Sequence, residues 1–191
     1  MTEPRMRLAW AAALGAGAML AFVVVVGLGV VYSGAVNVAA TEEHSALTRW
    51  AFDTTFHRSV ERRARGVGEP PAFTPAMVQT GAGEYRAMCQ QCHGGPGVER
   101  QPWAAAMRPR PPHMTEAAAE WSPREVFWLV DHGVKATAMP AFGPTHDDAT
   151  LWAIAAFVGE LPAMTPARYA ELTAAGGGDG EGGDGHHHTH G

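Results

Sequence analysis

A long uncharged stretch near the N-terminus sets the first constraint on this chain of 191 residues. Residues 8–32 hold 25 apolar or small side chains, and no Asp, Glu, Lys or Arg occurs from Leu8 to Thr41. As a helix rising about 1.5 Å per residue, residues 8–32 would reach roughly 37 Å, which exceeds the ~30 Å hydrocarbon core of a bilayer. We therefore expect a transmembrane anchor at residues 8–32.

The flanks of this stretch bear on its processing and orientation. The apolar core of a signal peptide is usually about 7–15 residues long, so the length favours a retained anchor, although Val38-Ala39-Ala40 resembles a cleavage site. Arg5 and Arg7 precede the stretch, and few basic residues follow it closely. By the positive-inside rule, the stub at residues 1–7 is cytoplasmic and the bulk of the chain is periplasmic. We expect a single-pass protein of the cell membrane that contacts lipid through this helix.

Composition divides the rest of the chain into four parts. Residues 41–66 carry both charge signs and no Pro, and are expected to form a membrane-proximal helical segment that serves either as a spacer or as a partner-binding element. Residues 67–77 form a Pro-rich hinge, and residues 78–172 form a small soluble domain. Residues 173–191 are a Gly- and His-rich tail expected to be disordered. The tail histidines that would bind metal at most weakly are His186, His187, His188 and His190.

Capping patterns predict that the soluble domain is all-α. Thr74-Pro75 is typical of a helix start, and Ser122–Glu125 forms a capping box with Pro at the first helical position. Gly133 is expected to end that helix, and Thr145–Asp148 is expected to start another in the same way. No alternating strand pattern follows residue 73. Short helices joined by a long loop would bury little core unaided, so another group is expected to fill the middle.

The two cysteines of the chain lie three positions apart, directly before a histidine, as Cys89-x-x-Cys92-His93. This spacing is typical of covalent haem attachment, in which each thiol forms a thioether with a haem vinyl group and the imidazole binds iron. A zinc site would need more ligands, a thioredoxin-like pair would need a βαβ setting, and a disulfide across so tight a loop would stabilise little. We therefore expect one haem c per chain, with His93 as the proximal ligand.

The second axial ligand of the iron must come from elsewhere in the chain. Met139 is the favoured candidate, because it lies in a loop between two capped helices and Pro140 stiffens the backbone behind it. Met88, beside the motif, is interpreted as a packing residue. Weaker candidates are Met107 and Met114 in the irregular loop, and His113, His132 and His146 for bis-histidine ligation.

The stretches GAGEYRAMCQQCHGGPG (81–97) and KATAMPAFGPTHDDATLWAIAAFV (135–158) resemble the class I c-type cytochromes, specifically the membrane-anchored monohaem kind. The resemblance implies a few helices around one covalent haem, with His93 and Met139 as the axial ligands. It implies a crossing of the first and last helices at a small residue, here Gly83, against Phe157 or Trp152. It also implies that a proline carbonyl, from Pro109 or Pro111, orients the proximal histidine.

These features favour an electron carrier over an enzyme. An iron bound on both sides has no open position for a small-molecule substrate, which favours one-electron transfer between redox partner proteins of a respiratory chain. The alternative is a fixed monohaem subunit of a terminal oxidase or reductase complex. An open haem site that senses a gas or performs catalysis is a third reading. A formal net charge of −5 argues against a nucleic-acid partner.

Overall fold

The computed structural model describes residues 3–175, so the tail histidines lie outside the described residues. The chain divides into two compact units at the boundary between Glu42 and Glu43. Residues 3–175 are mainly helical and contain no β-strand; their one isolated bridge joins Gly95 and Val98. The expected all-α class is confirmed.

The first unit contains a single long helix, α1 (Glu3–Ser33). Within it, Met6–Ser33 is long and apolar enough to cross a membrane. The helix begins five residues before the expected anchor, and Arg7 pairs with Glu3 at 3.2 Å across this additional turn. Because an i,i+4 ion pair adds support to a helix surface, the charged stub continues the helix.

The second unit contains eight α-helices within the described residues. They are α2 (Ala46–Ala64), α3 (Pro75–Glu84), α4 (Gln90–His93), α5 (Pro102–Ala105), α6 (Met114–Ala117), α7 (Pro123–His132), α8 (Asp148–Glu160) and α9 (Pro166–Ala175). A π-helical turn (Tyr85–Cys89) joins α3 to α4. Short 3₁₀ turns at Ala118–Glu120 and Leu161–Ala163 follow α6 and α8.

The centre of this unit is the crossing of α3 over α8. A Cβ on Gly81 would lie 2.0 Å from the Ala153 carbonyl oxygen and 2.9 Å from Phe157 Cβ, so the two backbones touch there. The expected crossing against Phe157 is confirmed, but its glycine is Gly81 and not Gly83. Helical periodicity explains the difference, because positions two apart lie on different faces and only one of them meets α8.

The caps of these helices satisfy backbone groups that would otherwise lack partners. Thr74 accepts from Met77 N at the start of α3, and Ser122 and Glu125 form the reciprocal capping box of α7, as expected. At α8, the prediction that Thr145 is the N-cap is wrong. Asp147 is the N-cap, and its carboxylate accepts from Thr150 N at 2.8 Å. A carboxylate is favoured there by the helix dipole.

Helix α2 packs against α7 inside the second unit. Val60 and Ala64 are buried, and His57 stacks on Trp121 with ring centroids 4.9 Å apart. Ser45 caps the N-terminus of α2 by accepting from Thr48 N, so the helical part of the expected 41–66 segment is Ala46–Ala64. Its second half is therefore joined to the soluble domain by apolar burial.

Helix α9 was not anticipated from the sequence. Tyr169 and Leu172 are almost completely buried, and two hydrogen bonds tie α9 to the region before the cysteines. Gln79 Nε2 donates to the Leu172 carbonyl at 2.8 Å, and Arg86 donates to the Thr173 carbonyl at 2.7 Å. The helix thus closes the α3 side of the fold.

Candidate functional site

The two cysteines and the following histidine lie where the helix geometry changes. Cys89 ends the π-helical turn, and Cys92 and His93 belong to the single turn of α4. A π-helical turn holds one more residue than an α-helical turn, and such turns often occur at functional sites. Gly94 ends α4 with φ +66, a backbone conformation that glycine adopts at little cost. The motif is thus held between two backbone irregularities.

Two buried tyrosines fix this turn. Tyr85 donates from its hydroxyl to the Gly94 carbonyl at 2.8 Å, and Tyr169 donates to Gln90 Oε1 at 2.8 Å. Burial raises the pKa of Tyr85 far above its usual value and that of Tyr169 to about 12. Both hydroxyls therefore stay protonated and remain donors at every physiological pH.

The glycines after the histidine leave room for neighbouring rings. A Cβ on Gly94 would lie 2.6 Å from His113 Nε2, and one on Gly95 would lie 2.4 Å from Tyr169 Cζ. Contacts this short force a shift of the ring or of the chain. The Gly-rich exit of the motif is therefore explained by close packing against His113 and Tyr169.

His93 is oriented by one backbone carbonyl. Its Nδ1 lies 2.9 Å from the carbonyl oxygen of Pro112, so Nδ1 carries the proton and Nε2 has the lone pair that can bind a metal. The prediction that the carbonyl of Pro109 or Pro111 accepts this hydrogen bond is therefore wrong. The Pro111 carbonyl instead accepts from Arg100, which fixes the peptide next to Pro112. Such a second bond sets the ring orientation and basicity of a metal-binding histidine.

The environment of His93 favours the neutral ring. Burial lowers the pKa of His93 below its ordinary value, in part opposed by its hydrogen bond to the Pro112 carbonyl. A neutral imidazole is the form that binds a metal ion, because the protonated ring has no free lone pair. The ring is thus held in the tautomer and charge state that a ligand needs.

The two thiols are not joined in a disulfide. Cys89 packs against the hydrophobic core, and burial, with a smaller contribution from Cys92, raises the pKa of its thiol to about 12. Redox-active C-x-x-C pairs instead need a thiol of lowered pKa, because the thiolate is the reactive species. This microenvironment argues against a thioredoxin-like function for the pair.

Met139 lies in a loop that folds back on the end of α7. A Cβ on Gly133 would lie 2.5 Å from the Pro140 carbonyl carbon, so this glycine lets the returning chain pass closely. Phe142 N donates to the Val130 carbonyl at 3.0 Å, and Met139 N donates to Thr137 Oγ1 at 3.1 Å. Both ends of the short segment carrying Met139 are thereby fixed.

Cys89 and Met139 pack on the same hydrophobic core. Both are partly buried against one core cluster, although 50 positions separate them in the sequence (139 minus 89). Other apolar side chains that pack on this cluster are likewise only partly covered by protein. They include Met88, Val98, Met114, Trp121 and Met164.

The residues described above fit a haem. Among the described residues, no cluster of three or more His, Cys, Asp or Glu side chains could hold a metal ion. A porphyrin would bring four nitrogens of its own to a metal at His93, and its faces would cover partly exposed apolar side chains. The Nε of Arg108, buried with no partner in the described chain, offers a donor to a carboxylate.

The other candidate ligands have local partners. His132 stacks on Trp128 at the surface, and His146 bonds to the Phe142 carbonyl at 3.2 Å. His113 packs at Gly94 and bonds through Nδ1 to Thr115 Oγ1 at 2.7 Å. Of the weaker methionine candidates, Met114 packs on the core cluster and Met107 is half-buried.

Sequence reasoning missed three contributors to this site. Tyr169 left a local signal, because Thr165-Pro166 repeats the helix-start pattern of Thr74-Pro75. Pro112 belongs to a proline run in which sequence alone cannot select one carbonyl. Nothing in the sequence marked Arg108 as a functional residue except its position in the same proline-rich stretch. All three act on residues distant in sequence.

Comparison with known protein families gives a match over part of the chain. Residues 76–158 match the family described as cytochrome c oxidase, cbb3-type, subunit III. The matched range starts in α3 and ends within α8, so it contains both cysteines, His93 and Met139. No curated protein matches the chain.

Proposed function

We propose that this protein carries single electrons through one covalently bound, six-coordinate haem, because residues 76–158 match a cytochrome family and contain the C-x-x-C-H motif. The proposal rests chiefly on one observation. His93 presents a neutral, oriented imidazole one residue after two unpaired cysteines, with Nδ1 fixed by Pro112 and Nε2 left for iron. The haem iron would supply a reversible ferrous–ferric couple.

Four residues would hold the cofactor. Cys89 and Cys92 would form the thioethers, and His93 would be the proximal ligand. Met139 would be the distal ligand, because its loop is fixed at both ends and its side chain packs on the same core cluster as Cys89. A thioether ligand favours ferrous iron and so raises the reduction potential.

The membrane helix would confine the carrier to a surface. Residues 8–32 lie within α1, which is long and apolar enough to cross a bilayer. With the N-terminus in the cytoplasm, the haem domain would lie in the periplasm of a single-pass protein. Tethering raises the effective concentration of partners in the same membrane, so that docking to respiratory redox proteins can be weak and transient.

Substitution of Met139 tests the axial ligation. In the full-length haem-loaded protein, Met139→Ala should keep haem covalently attached while the ferric charge-transfer band of a methionine–iron bond disappears. The potential should fall, and the ferrous form should bind carbon monoxide. Met107→Ala, a methionine of the irregular loop, is the matched control and should leave the spectrum unchanged. A retained charge-transfer band in Met139→Ala would show that another residue is the ligand.

A second function is favoured by the family match. That family is described as a subunit of an oxidase, so this protein would be a fixed electron-transfer subunit in a membrane complex. Purification in a mild detergent separates the two proposals. A stoichiometric complex that survives gel filtration favours the subunit, and a monomer that exchanges electrons with added redox proteins favours the carrier.

A further inference from the structure

Arg108 is a partly buried arginine whose hydrogen bonds are incomplete. Its side chain is 24% exposed, and its Nε is buried with no hydrogen-bond partner among the described residues. Its other nitrogens are engaged, since NH1 donates to the Met107 carbonyl at 2.9 Å and NH2 lies 3.7 Å from Glu43 Oε1. A buried donor without an acceptor is costly, so this N–H is expected to meet an acceptor in the mature protein.

The position of Arg108 indicates what that acceptor is. It lies four residues before Pro112, whose carbonyl binds the ring of His93, and four residues of chain span at most about 14 Å. The backbone of Arg108 therefore lies within about 14 Å of the peptide that orients His93, a distance that a haem-sized group bound at His93 can bridge. Such a group carries two carboxylates, and arginine is the side chain that best matches a carboxylate.

We propose that Arg108 binds a haem propionate through Nε–H while its NH2 group stays paired with Glu43. This proposal rests on the proposed haem of the preceding subsection. It gives the segment ahead of α2 a specific function, since Glu43 would connect that segment to the electrostatics of the haem. Arg49 shares the same carboxylate at 3.1 Å and completes the charged cluster.

The positive charge of Arg108 is expected to change the reduction potential of the haem in one direction. A positive charge near the haem disfavours the ferric state, which carries one more positive charge than the ferrous state. Loss of Arg108 should therefore lower the reduction potential. One unit charge about 12 Å away at an effective dielectric constant near 20 changes the ferric–ferrous ratio roughly tenfold. For a one-electron couple, tenfold corresponds to about 59 mV.

The test compares Arg108→Gln with Arg110→Gln in the full-length, haem-loaded protein. Arg110 is exposed in the same loop, so both variants lose the same charge two positions apart. We expect Arg108→Gln to lower the potential by about 59 mV, the tenfold shift above. It should also shift the propionate bending band in the resonance Raman spectrum. Equal effects in the two variants would overturn the proposal.

A second pair of variants decides the question if Arg108→Gln fails to mature. Glu43→Gln leaves Arg108 unopposed and should raise the potential, while Glu42→Gln, the neighbouring carboxylate, should not. Equal potentials in these two variants would also overturn the proposal. Failure of the proposed haem function is recognised separately, because the wild-type protein would then lack covalent haem or its methionine–iron band before any substitution.

Discussion

The contact between α3 and α8 predicts a large effect from a single methyl group. In Gly81→Ala the new Cβ would lie 2.0 Å from the Ala153 carbonyl oxygen and 2.6 Å from its carbon. Non-bonded heavy atoms are usually about 3.5–4.0 Å apart. Both atoms of Ala153 belong to the backbone, so no change of rotamer relieves the clash, and the two helices must separate by more than about 1 Å.

The magnitude follows from two opposing contributions. Overpacking of a tight core costs about 1–3 kcal/mol, and a rigid backbone clash belongs at the upper end. Replacing Gly by Ala inside a helix contributes about 1 kcal/mol in the other direction. The expected net loss is about 2 kcal/mol of unfolding free energy. In Gly159→Ala, the matched control within α8, the new Cβ meets nothing within 4 Å, and a gain of about 0.5–1 kcal/mol is expected.

The measurement is denaturant unfolding of the full-length, haem-loaded protein, followed by helical circular dichroism and by haem absorbance. We expect stability to decrease from Gly159→Ala through wild type to Gly81→Ala, with a spread of about 3 kcal/mol between the two variants. If Gly81→Ala were as stable as Gly159→Ala, the helices would not be in contact at this glycine and the packing argument would fail.

Two further predictions concern polar groups. Tyr85→Phe should leave the Gly94 carbonyl without its 2.8 Å hydrogen bond and cost about 1–3 kcal/mol in denaturant unfolding; an unchanged midpoint would contradict this function of the hydroxyl. The hydrogen bond from the Thr150 backbone lowers the pKa of Asp147 below 3.8, so the carboxylate stabilises the fold above the unfolded-state pKa, and that contribution is lost as pH falls through the lower folded-state pKa. Acid unfolding should therefore show less dependence on pH in Asp147→Asn than in wild type, and equal pH dependence would refute the assignment.

Local signals in the sequence were sufficient to predict much of the helical framework. The capping box at Ser122 and the cap at Thr74 are confirmed because every atom involved lies within one helical turn. The C-x-x-C-H motif is likewise contained in five consecutive residues, so it can be recognised without knowledge of the fold. The family match over residues 76–158 supports the cytochrome interpretation that the motif suggested.

The remaining features depend on register between distant segments. The choice of Gly81 over Gly83 depends on how α3 lies on α8, and the choice of Pro112 over its neighbours depends on a loop that returns to His93 from 19 positions away. At α8, Thr145, Asp147 and Asp148 are all residue types that cap helices, and only the folded chain shows that Asp147 accepts from Thr150 N. The ligand positions at Cys89, Cys92, His93 and Met139 stay predictions until haem is observed on them.

Helix α9 lies beyond the range that matches the family, and this has a practical consequence for where the polypeptide may be cut. A fragment ending at residue 158 would expose Tyr85 to solvent. It would also remove the Tyr169 hydroxyl that donates to Gln90 and the α9 carbonyls that accept from Gln79 and Arg86. The smallest portion able to mature independently should accordingly reach at least Ala175. The boundaries of the family match would thus underestimate the autonomous folding unit of this protein by a full helix.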